Sequence, residues 1–352
     1  MAIPKTLALS IRKSSRLFRL ILLIAITALG SAQDKSKASE ESPPIKVDVS
    51  LVNLTATVTD DDGHAVAGLN QEDFQVYEDS VLQDTSVFHN DDRVPVSVGI
   101  VFDTSGSMVD KIDEVQDAVI HFIETTNHED DIFLLQFNSY TSLVEDFTDD
   151  RQKLRKAVGR LQPGGSTALY EALVEGLQHL QGGKHKKKAL LLITDGNDTS
   201  SQVTLKEAVA TAQQSEAIIY ALGIGHGERG SFGHLLGIFK DTVDVNALRA
   251  VTNATGGRTF LLEGAHHHNG VDQIDKACQE VGSELRLQYT LGYYPKNKAK
   301  DGTYRKVRIT TKSAKYAVRT RGGYFAPKDS TLPQSPSSGI THDLPVLLVA
   351  ND

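Results

Sequence analysis

The sequence has little cysteine, no excess of basic residues and no apolar run long enough to span a bilayer comfortably. One cysteine, Cys278, occurs among 352 residues, which excludes an internal disulfide. It falls in a helical pattern, which predicts a buried and inert thiol. Hydrophobic residues make up 39% and charged residues 23%. These values are typical of soluble globular proteins and exclude disordered, collagen-like and multi-span membrane chains.

The first 32 residues differ from the rest of the chain. Basic residues up to Arg19 precede a short apolar run at 20–29, and Gly30-Ser31-Ala32 follows. This order predicts a signal peptide over 1–32, cleaved after Ala32, and therefore an exported protein, periplasmic or secreted. An uncleaved membrane anchor is the alternative. No cysteine lies near the exit, which argues against a lipid anchor.

Positive charge is scarce once this leader is removed. The leader carries five Lys or Arg and no acid, so its removal lowers the formal net charge from -8 to -13. An acidic mature protein does not attract phosphate backbones or anionic lipid surfaces. We expect no nucleic-acid binding, and no membrane span after signal cleavage.

Composition and the spacing of apolar residues divide the rest of the chain into segments. Residues 33–44 are charged, rich in serine and end in Pro-Pro, which predicts a linker. Apolar and polar residues alternate in short stretches at 45–92, which predicts an N-terminal β module. A similar alternation predicts C-terminal strands at 291–326. These strands are expected to pair into a small β sandwich. The Ser- and Pro-rich tail at 327–352 is predicted to be flexible.

Between residues 94 and 290, apolar strands alternate with amphipathic helices. The first strand, VSVGIVF at 96–102, is apolar throughout, as are IFLLQF at 132–137 and ALLLIT at 189–194. Only a mostly parallel sheet with helices on both faces buries such strands on both sides. The predicted fold is therefore α/β and doubly wound. Ligands of such sheets bind at the carboxyl ends of the strands.

Three polar loops fall on that edge. The first contains Asp103, Ser105 and Ser107 after the first strand, the second contains Thr167 before a helix, and the third contains Asp195 after ALLLIT. Together they resemble the metal-ion-dependent adhesion site of von Willebrand factor A (VWFA) domains, whose signature is DxSxS with a distant Thr and a distant Asp. The resemblance covers 94–290 and implies a Rossmann-like VWA fold. The flanking β segments are similar to those of VWFA-related proteins of Acidobacteria.

The resemblance implies one divalent cation, Mg²⁺ or alternatively Mn²⁺ or Ca²⁺. Ser105 and Ser107 would bind through their hydroxyls, Thr167 in one of two family states, and Asp103 and Asp195 directly or through water. Mg²⁺ prefers six hard oxygen ligands and keeps some of its waters. An open coordination position would accept Asp or Glu of a partner protein. The implied function is adhesion-like or receptor-like protein binding, and not catalysis.

Three alternatives remain open from the residues. Asp and Ser also cap helices, so the DxSxS loop alone is ambiguous. A Mg²⁺-dependent phosphatase or phosphotransferase would use Asp103 as nucleophile, but Ser105 stands where its second carboxylate belongs. Finally, the cation would have a purely structural role if it only tied the loops together.

Two further patterns resemble sites but lie in unsuitable places. Residues 225–230 read G-x-G-x-x-G, yet they follow a late strand, whereas a dinucleotide fingerprint belongs at the first strand-to-helix turn. They begin an insertion-like segment, 225–244, that is expected to be a surface loop or to shape partner choice. His266, His267 and His268 are adjacent and Gly-flanked, which favours a solvated loop over a metal site.

Overall fold

The structure, a computed structural model, describes residues 50–90, 94–225, 243–263 and 270–328. The predicted signal peptide, the linker and nearly all of the tail lie outside these residues. So do most of the 225–244 segment with its G-x-G-x-x-G pattern, and the three adjacent histidines. Within the described ranges, no helix combines the length and apolar character that crossing a membrane requires.

Fourteen strands and six α-helices make up the described part of the chain. The strands are β1 (Val52–Thr59), β2 (Phe74–Glu78), β3 (Val81–Gln83), β4 (Thr85–His89), β5 (Val96–Asp103), β6 (Asp131–Phe137), β7 (Thr141–Thr148), β8 (Lys187–Thr194), β9 (Ile218–Gly225), β10 (Thr259–Glu263), β11 (Gln288–Tyr293), β12 (Tyr304–Thr311), β13 (Ala317–Arg319) and β14 (Gly323–Phe325). The helices are α1 (Ile112–Thr125), α2 (Arg151–Val158), α3 (Leu169–Leu180), α4 (Leu205–Gln214), α5 (Val245–Thr255) and α6 (Gly270–Arg286).

The central sheet confirms the predicted α/β fold. Its six strands lie in the order β10-β9-β8-β5-β6-β7, and every neighbouring pair is parallel except β6 and β7. All eight residues of β5 are buried. Apolar residues of α1, α2 and α6 pack on one face, and those of α3, α4 and α5 on the other. The uninterrupted apolar strands are thus covered on both sides, as their composition requires.

Two antiparallel four-stranded sheets flank this sheet and combine both ends of the chain. One has the order β13-β1-β11-β4 and the other β14-β12-β2-β3. Their facing residues form one apolar core that includes Leu54, Val76, Tyr289, Leu291 and Ile309. The predicted sandwich of N- and C-terminal strands is therefore present.

Some predicted boundaries differ from the structure. Helix α6 ends at Arg286, and the C-terminal strands, predicted to begin at 291, begin with β11 at 288–293, which lies between β1 and β4. Leu285 and Tyr289 are both buried, one in the core of the central sheet and the other in the core of the sandwich. Within the predicted β module, residues 66–69 form no strand, and an isolated bridge joins Thr59 to Ala65 just before them.

Candidate metal site

The three predicted loops meet at one edge of the central sheet. Strands β5 and β8 are parallel neighbours, so Asp103 at the end of β5 and Asp195 just after β8 lie at the same edge. Backbone hydrogen bonds join the loops: Gly106 N–H donates to Gly165 O at 3.0 Å, and Gly164 N–H donates to Thr104 O at 2.8 Å. The strand order and these backbone hydrogen bonds therefore hold the loops together without a contribution from a metal ion.

Hydroxyl and carboxylate oxygens form a continuous chain between the first and the third of these loops. The Oγ atoms of Ser105 and Ser107 lie 3.1 Å apart, and Ser107 Oγ donates to Asp195 Oδ1 at 2.7 Å. A methyl group built on Gly196 would lie 3.7 Å from Thr167 Oγ1 and 3.8 Å from Ser107 Oγ. Both hydroxyls therefore border the same small space beside Gly196, which a side chain there would fill.

Asp103 is fully buried and is held by neutral donors. Its Oδ1 accepts from Ser105 N–H at 2.7 Å, and its Oδ2 accepts from the Thr194 hydroxyl at 2.6 Å. Burial raises the pKa of Asp103 to about 6, although the hydrogen bonds from Thr194 and Ser105 lower it, and the nearby Asp195 carboxylate raises it further. A buried carboxylate of this kind is stabilised in its charged form by a cation.

The capping alternative finds no support in this loop. A short 3-10 turn at Gly106–Met108 begins at Ser105, whose side chain makes no capping hydrogen bond. The residue at the N-cap of α1 is Lys111, which also makes none. The two serine hydroxyls are instead directed at each other and at Asp195.

Sequence reasoning missed Lys111, although it is the charged residue nearest to Asp195 in this arrangement. Its side chain is 2% exposed, and its Nζ lies 2.5 Å from Asp195 Oδ2. One signal was present: a lysine beside the N-terminus of a helix opposes the helix dipole. In the structure Asp195 compensates the charge of Lys111 at this position.

A second group that the sequence did not single out supports the Thr167 loop. Thr199 Oγ1 accepts from Thr167 N–H at 2.9 Å, and Asp198 Oδ1 accepts from Leu169 N–H at 2.8 Å. Ser201 Oγ accepts from Tyr170 N–H at 3.1 Å. The segment after Asp195 thus caps the start of α3 and fixes the loop that carries Thr167.

The donor set fits a hard divalent cation. Three hydroxyls and two carboxylates border the site, all of them oxygens of the kind that Mg²⁺ and Ca²⁺ select. Three of these oxygens, on Ser105, Ser107 and Asp195, already contact one another. Asp103 and Asp195 supply the charge, and Ser105, Ser107 and Thr167 supply neutral ligands.

Two other features of the described residues are separate from this edge. Asp60, Asp62 and His64 bring ligand atoms within 4.8 Å of one another, but Asp60 Oδ1 accepts from the backbone N–H of both Asp62 and His64, as in an ordinary exposed turn. A cavity of about 790 Å³ is lined partly by residues 183–188 and Ile218, at the amino ends of β8 and β9. It therefore lies at the edge opposite to the candidate site.

Comparison with known proteins agrees with this arrangement. Residues 97–262 match the family model of the von Willebrand factor type A domain, and this part of the chain is such a domain. The match includes all five candidate ligands. It also spans the central sheet almost completely, from β5 into β10.

Two curated relatives match part of the chain. An uncharacterized protein of Borreliella burgdorferi is 28% identical over 143 residues, which cover 38% of this chain and 42% of the relative. An uncharacterized protein of Synechocystis is 27% identical over 141 residues, which cover 39% of this chain and 34% of the relative. The matched region thus spans less than half of either relative.

Among solved structures, the von Willebrand factor type A structure from Catenulispora acidiphila is similar with a TM-score of 0.46 and 15% identity. That similarity covers 79% of this chain and 74% of the other. The domain of the type V pili tip protein Mfa5 from Porphyromonas gingivalis has a TM-score of 0.41 and 14% identity, over 55% of this chain and 96% of that one.

Proposed function

We propose that this protein is an exported binding protein that recognises an acidic residue of a partner protein through a bound divalent cation. The ligands are Asp103, Ser105, Ser107, Thr167 and Asp195, and the cation is Mg²⁺, with Mn²⁺ and Ca²⁺ as alternatives. The observation that carries the proposal is the chain of oxygens from Ser105 through Ser107 to Asp195. It brings two separate loops into contact at the edge where ligands of such sheets bind.

The proposed ligands are of two kinds, charged carboxylates and neutral hydroxyls. Asp103 and Asp195 supply negative charge from buried positions, and both are 1% exposed or less. Ser105, Ser107 and Thr167 add neutral oxygens, so the site is not a full carboxylate cage. When bound, the cation supplies an electrophilic position that a carboxylate of the partner can occupy.

The proposal assigns no catalytic role. A phosphatase of this type needs a second acid two residues after its nucleophile, and Ser105 occupies that position. The Ser105 hydroxyl instead contacts the hydroxyl of Ser107 at 3.1 Å. Hydrolysis of a phosphate ester that requires Mg²⁺ and disappears in Asp103→Asn would establish the enzyme instead.

Export rests on the predicted signal peptide over residues 1–32, and we place the mature protein in the periplasm or the medium. The acidic character of the mature chain supports a protein partner over nucleic acid. The kinship with VWFA-related proteins of Acidobacteria is part of this proposal and rests on the flanking β segments.

The metal site is tested by titrating the purified protein with Mg²⁺ and with Mn²⁺ in a calorimeter. We expect one site in the wild type and none in Asp195→Ala. Asp62→Asn is the matched control, because it removes an exposed acid from the other candidate group, Asp60, Asp62 and His64. If Asp62→Asn lost metal binding and Asp195→Ala kept it, the ion would bind at the exposed turn, and the proposal would be overturned.

Partner recognition is tested next with immobilised acidic peptides and their Asn and Gln counterparts. We expect retention of the protein by the acidic peptides in Mg²⁺ and release by EDTA. A pulldown from an envelope fraction, with Asp195→Ala in parallel, then identifies the natural partner. Metal binding without any carboxylate-dependent retention would leave the cation with a purely structural role.

A further inference from the structure

We propose that Lys111 is a built-in counter-charge of the metal site, which weakens cation binding and leaves the loaded site positively charged. The inference rests on the proposed function, because it concerns the affinity of the same site. The relevant contact is the buried pair between Lys111 Nζ and Asp195 Oδ2, 2.5 Å apart.

The geometry gives the two oxygens of Asp195 different partners. Oδ1 accepts from Ser107 Oγ at 2.7 Å, on the side of the serine hydroxyls. Oδ2 faces Lys111. An ion bordered by Ser105 and Ser107 therefore approaches Oδ1, and the ammonium group remains on the other oxygen. Lys111 is a positioning residue here and not a ligand.

The ammonium group is held in place by burial. The side chain of Lys111 is 2% exposed and that of Asp195 is 0% exposed. Moving either charged group away from its partner inside the protein would leave a buried charge without compensation, which is strongly unfavourable. Lys111 is also the N-cap residue of α1, so the backbone that carries it is fixed by a helix of 14 residues. We infer that cation binding does not expel Lys111.

Lys111 changes the net charge of the metal site. Asp103 and Asp195 contribute two negative charges, and Lys111 contributes one positive charge. The three side chains thus carry a net charge of -1 before a divalent ion binds. The site with the ion bound has a net charge of +1. Without Lys111 the loaded site would be neutral. Like charges a few ångströms apart repel strongly in a poorly solvated site, so Lys111 lowers the affinity for the ion and raises the affinity of the loaded site for a carboxylate.

The test compares Lys111→Met with the wild type by Mg²⁺ and Mn²⁺ calorimetry. Methionine keeps the length of the side chain and removes its charge. We expect the Kd for the ion to fall by about tenfold or more, given the strength of charge interactions at such distances. At saturating Mg²⁺, binding of an acidic peptide is expected to weaken by about tenfold. Lys153→Met is the control, because it removes one positive charge from an exposed side chain, and its Kd values should match the wild type.

A stability measurement keeps the test decisive if the variant folds poorly. Lys111→Met leaves Asp195 buried without its cation, so we expect a lower Tm in EDTA and a larger rise of Tm with Mg²⁺ than in the wild type. The double variant Lys111→Met/Asp195→Asn removes both charges and should regain Tm in EDTA without responding to Mg²⁺. Failure of Mg²⁺ to raise the Tm of Lys111→Met would overturn the inference.

The outcomes separate the two proposals. Equal Kd values for Mg²⁺ in Lys111→Met and the wild type would overturn the role of Lys111 and leave the metal site intact. Tight Mg²⁺ binding in Lys111→Met, with none in the wild type, would support the counter-charge and overturn the proposed function, because the natural protein would then bind no ion. Weaker binding in the variant than in the wild type would contradict the charge argument directly.

Discussion

Thr194 Oγ1 donates a hydrogen bond of 2.6 Å to Asp103 Oδ2, and the two residues end the neighbouring strands β8 and β5. Both side chains are fully buried. The bond joins the loop that carries three candidate ligands to the loop that carries Asp195. The relative position of the two carboxylates therefore depends on the packing of the central sheet, and the loops alone do not set it.

Replacing Thr194 by valine should loosen this connection without changing the volume of the side chain. Because the lost bond has a charged acceptor, we expect a loss of about 1.5–3 kcal/mol in the free energy of unfolding in EDTA. The Kd for Mg²⁺ should rise as Asp103 becomes less ordered. Urea unfolding and calorimetry measure these changes. Thr194→Ser, which keeps the hydroxyl, is the control and should stay close to the wild type.

Replacing Asp103 by asparagine should have opposite effects with and without metal. Burial raises the pKa of Asp103 from 3.8 to about 6 in the folded chain. The unfolded chain thus releases this proton first, so the contribution of Asp103 to stability falls as the pH rises from about 4 to about 6. In EDTA at pH 7.5 we expect Asp103→Asn to be more stable than the wild type, on the order of 2 kcal/mol.

The advantage of Asp103→Asn should disappear near pH 4, where the wild-type carboxyl is protonated as well. In Mg²⁺ at pH 7.5 the wild type should gain stability and the variant should not, so that their order reverses. Thermal unfolding at both pH values, with Mg²⁺ or EDTA, checks each part. A variant that still gains Tm from Mg²⁺ would show that Asp103 is dispensable for the site.

Replacing Glu78 by glutamine should destabilise the β sandwich. Glu78 Oε2 accepts from Tyr293 at 2.8 Å and from Tyr324 at 2.7 Å, and Oε1 lies 3.3 Å from Arg305 Nη1. Arg305 is 3% exposed, so its charge would remain buried without a carboxylate. We expect a loss of about 3–5 kcal/mol.

Chemical denaturation of Glu78→Gln, followed by circular dichroism, provides the measurement. Glu124→Gln is the matched control, since its pair with Arg155 is exposed at 42% and 55% and should change stability by less than about 1 kcal/mol. Similar losses in the two variants would show that burial does not strengthen the dependence on Glu78.

Replacing Gly257 by alanine should disrupt the connection between α5 and β10. The added Cβ would lie within van der Waals overlap of the carbonyl oxygen of Ile219, a backbone atom of β9. Backbone in a central sheet does not yield as a side chain does, so we expect a loss of about 3 kcal/mol or more. Gly159→Ala is the control, because its Cβ would meet its nearest atom at 3.5 Å. Equal unfolding midpoints for the two variants would contradict the close approach.

Local patterns in the chain determined the central sheet and the three loops of the candidate site. Apolar strands such as β5 fit only a sheet covered on both faces, and parallel strands carry their following loops to one edge. Asp103 and Asp195 were placed together by this argument alone. Strand β7, half-buried at the edge of the sheet, and strand β14, with three residues, gave no comparable signal.

Tertiary structure decided what depends on contacts between distant segments. Lys111 has the sequence context of a residue at a helix start, and only the packing of α1 beside the loop after β8 makes it the partner of Asp195. Likewise, nothing near Glu78 indicates that its partners lie more than 200 residues away in β11, β12 and β14. Residue types and their spacing indicate which side of a segment is buried and which faces solvent. Which charged residues pair depends on which distant segments the fold brings into contact.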